Sequence, residues 1–154
     1  MTTTDVFTAE SEVVTAQEIR PEVRRRRDDA DRLWAVAAGH RASAAELEAG
    51  EAPDSFQRAK TRRLLGEVAA HHGFAYHELA NATEARVRAE ALPRESPQRT
   101  LLLDRSFSAI RRAEAHRERA AACTARTAGN ETAARRHEAA AREADSRAAE
   151  ARTV

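Results

Sequence analysis

The chain has 154 residues, with 26 Lys plus Arg against 25 Asp plus Glu and a net charge of +1 at pH 7. Charged residues make up 33%, aromatics only 4%, and much of the 42% hydrophobic fraction is alanine, which removes little surface from water per buried side chain and argues against a thick globular core. No apolar run approaches the roughly 18 residues of a membrane span, and no segment is basic enough to mark a chain built around nucleic acid.

Residues 1–19 carry Asp5, Glu10, Glu12 and Glu18 and no base; they read as a disordered acidic tail. They also lack the basic and apolar regions of a signal peptide, so the expected location is cytoplasmic. Pro21 suits an early helical position. From there Ala30, Leu33, Ala37, His40, Ala44 and Leu47 recur at alternating spacings of four and three, one stripe of a helix widened by Trp34. Gly39, and Ser43 with Glu46 at capping-box spacing, allow a break near residues 39–43. The run Arg24–Arg27 is followed at once by Asp28, Asp29 and Asp31. Four consecutive arginines spread around a helix, so this reads as a solvated charged face with Arg24–Asp28 and Arg25–Asp29 one turn apart.

Gly50 and Pro53 end that segment, and Asp54 or Ser55 is placed to cap a second helix over about 55–71. Gly73 is placed as a left-handed residue after its end, and a third helix follows over about 75–91. Residues 20–95 are therefore expected to form one helical unit of about three helices, with a helix–Gly–helix corner at 64–92 and a core of Trp34, Leu65, Val68 and Leu79.

Pro93 and Pro97 bracket a link, and Ser96-Pro97 is a strong helix start. A long fourth helix runs over about 97–128. Gly129 ends it, and Asn130 caps a fifth, about 131–152, with Glu131–Arg135, Glu138–Arg142 and Glu143–Arg147 pairs. Residues 96–154 are thus expected to form a long alanine-rich antiparallel helical hairpin. With no strand signal, the fold class is all-α: a compact helical unit followed by that hairpin. So thin an apolar surface points to completion by a protein partner or a second copy, with Leu102, Leu103, Phe107 and Ile110 as the contact residues.

Two other readings compete. Ala69, Gly73 and Leu79 have the spacing of a small helix residue, a turn glycine and an apolar anchor, so residues 64–92 resemble the helix-turn-helix motif of bacterial regulators. The resemblance implies DNA binding, with Tyr76, His77 and Asn81 toward the bases and Arg58, Lys60, Arg62 and Arg63 toward the phosphates. The helix that would read bases is acidic and has no Arg or Lys at its start, where guanine contacts arise. Nucleic acid is therefore the second choice of partner. The third reading is a bundle metal site from Glu67, His71, His72 and His77, joined by Glu114 and His116, but the Glu-x-x-His spacing of di-iron bundles is missing. No metal, cofactor or catalytic residue is assigned. Cys123 stands alone and is expected to be a small packed residue.

Gly129, Ala134 and Ala141, with Leu65, Gly66 and Gly73, also resemble turn and small-residue positions of tetratricopeptide repeats. That resemblance implies a peptide- or protein-binding scaffold. The two glycine turns are 56 residues apart rather than 34, and the large aromatic positions are missing.

Overall fold

The computed structural model describes residues 20–151; the expected acidic tail lies outside them. They form four helices: α1 (Pro21–Glu48), α2 (Ser55–Glu90), α3 (Pro97–Thr127) and α4 (Glu131–Glu150). The all-α class holds. Each helix packs against the next in the chain, α1 on α2, α2 on α3 and α3 on α4. Cross-helix pairs such as Arg27–Glu84 with Arg63–Glu48, Arg112–Glu78 with Cys123–Glu67, and Ser108–Ala148 with Arg126–Glu138 make every neighbouring pair antiparallel.

Local chemistry places the ends. Pro21 and Pro97 open α1 and α3 within the first turn, where a missing N–H costs nothing. Gly129, at φ 73°, is the only described residue with a positive φ. Its N–H donates to Arg126 O at 2.9 Å and the Asn130 N–H to Ala125 O at 2.8 Å, which closes the last carbonyls of α3 in a Schellman turn. The Asn130 side chain then accepts from Ala133 N at 3.0 Å and caps α4.

The break near 39–43 does not occur, and neither does the corner at Gly73. Residues 55–90 are one helix, so the region 20–95 contains two helices rather than three. Gly73 is there for a neighbour. A Cβ on it would lie 2.7 Å from Trp34 Nε1, 2.8 Å from Trp34 Cδ1 and 3.2 Å from Ala30 O. The glycine is a notch cut for the indole of α1.

The core is a set of ladders of small side chains seven residues apart. Val23, Ala30, Ala37 and Ala44 are buried on α1. Ala59, Gly66, Gly73 and Ala80 are buried on the side of α2 that meets them, and Ala75, Ala82 and Ala89 on its other side, toward α3. Helix α3 answers with Ser106, Ala113 and Ala120 toward α2, and with Ser108, Ala115 and Ala122 toward α4. Helix α4 contributes Ala134, Ala141 and Ala148. A strict repeat of seven keeps a seam between two helices if they coil gently left-handed, and side chains this small let the backbones approach closely.

This corrects the expected core. Leu65 is exposed, and Trp34, Val68 and Leu79 are half-buried; all four border the seams instead of filling them. Hydrogen bonds and ion pairs brace the same joints. Arg26 donates to Thr83 Oγ1 at 2.7 Å and to Leu79 O at 3.1 Å, and Arg27 reaches Glu84. Half of the arginine run thus ties α1 to α2, while Arg24 and Arg25 are exposed. Of the three expected pairs within α4, Glu143–Arg147 forms, whereas Glu138 is taken by Arg126 of α3.

Candidate functional site

The groups singled out from sequence fall in two places. The first is a run of rings across α1, α2 and α3. His77 and Phe74 flank Trp34 with ring centroids 5.7 and 5.4 Å away. Phe74 stacks on His116 at 5.1 Å, and His116 meets His71 at 5.5 Å. The Nδ1 atoms of His71 and His116 are 3.2 Å apart, so one imidazole donates and the other accepts, and at least one of them is neutral.

Both histidines are held below their ordinary pKa. For His71 the main cause is burial, followed by the Arg119 charge; Glu67 opposes and His72 adds slightly. For His116 burial again leads, then His71 and Arg119, with Glu78 and Asp145 opposing. The unfolded chain therefore takes up protons at these positions first as pH falls. Stability from this pair is complete above about 6.5 and is lost progressively below it, down through the lowered folded values. Melting temperature should fall from pH 7 to pH 5, and His71→Gln with His116→Gln should flatten that slope. An unchanged slope in the double variant would refute the assignment.

Beside this pair, an open depression of about 340 Å³ is lined by Glu67, His71, Arg119, Cys123, Arg126, Glu138 and Arg142, among others. The buried Cys123 thiol donates to Glu67 Oε2 at 3.3 Å. Burial and that neighbouring carboxylate push its pKa up to about 11, so it is no nucleophile at neutral pH. Arg119 pairs with Asp145 and Arg126 with Glu138. His116 does arrive from the expected helix, but among the described residues no three His, Cys, Asp or Glu side chains converge as metal ligands.

The second place is α3. Leu103, Phe107 and Ile110, at spacings of four and three, share one stripe and are 41%, 43% and 40% exposed. Leu102 is half-buried and lies one residue, about 100°, round the helix, in line with Ala109 and His116. The structure therefore brings together three of the four expected contact residues and separates the fourth. Arg111 covers the Phe107 ring at 4.9 Å and donates to Glu114 at 2.7 Å. Leu101, absent from the expected contact residues, is 52% exposed.

The helix-turn-helix geometry is not formed, because the turn it requires is the middle of α2. Arg58, Lys60, Arg62 and Arg63 are exposed near its start. Arg58 lies 3.9 Å from Asp54, Arg62 lies 3.4 Å from His40 Nδ1, and Arg63 pairs with Glu48 at 2.7 Å. Tyr76 is exposed, while His77 and Asn81 are half-buried. Arg62 and Tyr76 are separated by about 21 Å of straight helix, at 1.5 Å per residue. The tetratricopeptide geometry is likewise unmet: α3 and α4 have 31 and 20 residues, too long together for a 34-residue unit. Its close-packing positions, Ala134 and Ala141, are nonetheless buried. No helix among the described residues is long and apolar enough to cross a membrane. No protein-family model, curated protein or solved structure matches the chain.

Proposed function

We propose that the chain is a non-catalytic interaction protein that works by self-association or scaffolding, with the α3 stripe as its contact surface. The observation that carries this reading is the group Leu103, Phe107 and Ile110, three large apolar side chains about two-fifths exposed on a helix already packed on both sides by α2 and α4. Domains ordinarily bury such stripes between two layers. Here the helices follow one another in contact, and the core is confined to the seams between them. A contiguous apolar stripe left outside the seams fits a protein interface.

Sedimentation equilibrium tests the reading. The protein should behave as a dimer or larger species in the micromolar range. Phe107→Glu should weaken association by about thirtyfold or more, as for a central aromatic anchor. A compact monomer at about 100 μM would overturn self-association; with affinities in the micromolar range, association would be visible there.

A further inference from the structure

We infer that the occupant of the α3 stripe is a second copy of this chain, lying antiparallel about a two-fold axis at Phe107. This rests on the proposed role of the stripe and adds a partner and an orientation to it.

The argument is self-complementarity. A two-fold axis at Phe107 sets that ring against its own symmetry mate, and sets Leu103 opposite Ile110 of the second copy. Asp104 and Arg111 are seven residues apart, so they share a line along the stripe's edge. The same axis places Asp104 opposite Arg111 of the second copy, twice over, as an isologous contact requires. Asp104 is half-buried and has no ion pair among the described residues. Arg111 spends one terminal nitrogen on Glu114 and lies over Phe107, while its buried Nε has no hydrogen-bond partner there.

The remaining charges on this face agree. Glu114 falls opposite Thr100 and Arg117 opposite Pro97, so no like charges meet. A parallel two-fold pairing would turn the Asp104–Arg111 edge of each copy toward the Leu103–Ile110 edge of the other, so these charges would not meet. Charge thus selects the antiparallel arrangement.

Charge exchange tests it, with dissociation constants measured by sedimentation at low salt. Asp104→Arg alone and Arg111→Asp alone should each weaken the dimer about tenfold or more, because each sets like charges opposite one another. An equimolar mixture of the two variants should recover wild-type affinity within about threefold, since all four residues then meet opposite charges. The double variant should recover it by itself. If Phe107→Glu dissociates the dimer but neither the mixture nor the double variant recovers affinity, the surface stands and the antiparallel arrangement is overturned. If the protein dimerises and Phe107→Glu leaves it intact, association uses another face, and this inference fails while self-association survives. A monomer under all conditions overturns both.

Discussion

Ala37→Leu should lower stability by about 3 kcal/mol, at the upper end of what overpacking a core costs, and should lower the melting temperature by about 6–12 °C at fixed protein concentration. Ala37 is fully buried in the α1–α2 seam, and its carbonyl lies 3.3 Å from where a Cβ on Gly66 would sit. Three additional carbons have no space there, and the two backbones must part along more than one turn. Phe56→Ala removes far more carbon from a side chain that is 75% exposed, and should change stability by less than about 0.5 kcal/mol. Thermal melts of the two variants check the pair. If leucine at position 37 is tolerated while alanine at 56 is costly, the ladders of small residues are not the core.

The second large effect belongs to the notch. Gly73→Leu should cost about 3 kcal/mol, because any Cβ there meets the Trp34 ring and Ala30 O. Trp34→Ala should cost about 2 kcal/mol, less than a fully buried tryptophan because Trp34 keeps some exposure. Combined, the two should cost at least about 1 kcal/mol less than their sum, since leucine then occupies space the indole has left. Gly39→Ala is the control. Nothing lies within 4 Å of its added methyl, so the substitution should stabilise α1 by about 1 kcal/mol through helix propensity alone. Additive losses at 34 and 73 would mean that the two side chains do not share the notch.

What could be read in advance followed from how local each cause is. Pro21, Ser96-Pro97, Gly129 and Asn130 act within a few residues of themselves, and the helix ends lie where they indicate. The stripe 30–33–37–40–44–47 was also legible, because it lies within one helix. Gly73 was misread because its reason lies 39 positions away, in Trp34; with no view of that partner, a glycine between apolar runs looks like a terminator. A signal was nonetheless present. Ala59, Gly66, Gly73 and Ala80 repeat at seven, as do Val23, Ala30, Ala37 and Ala44, and two matching ladders of that kind describe two helices in contact. The largest apolar residues misled for the opposite reason. Size suggested burial for Leu65, whereas these seams admit little beyond a methyl group. The exposed apolar stripe of α3 is legible in part: its period places Leu103, Phe107 and Ile110 together, whereas Leu102, one residue away, lies off it.

The alanine ladders have a consequence for register. Ladders of alanine repeat every seven residues, so sliding one helix past its neighbour by about 10.5 Å brings methyl groups opposite methyl groups again. Packing alone distinguishes such slipped states poorly. Ser106 and Ser108 tie α3 to both neighbours but do not distinguish them either. One hydroxyl donates to Ala82 O of α2 and the other to Ala148 O of α4, both at 2.9 Å. After a slip of seven each hydroxyl would meet the carbonyl of the next alanine in the same ladder, Ala75 or Ala89 on α2 and Ala141 on α4. The serines sit on opposite flanks of α3 within one turn of each other. Register between α2 and α3 falls instead to His116, which meets the rings of Phe74 and His71; a slip of seven would put Ala109 or Cys123 in its place and dissolve those contacts, so a few rings give an otherwise degenerate seam one alignment.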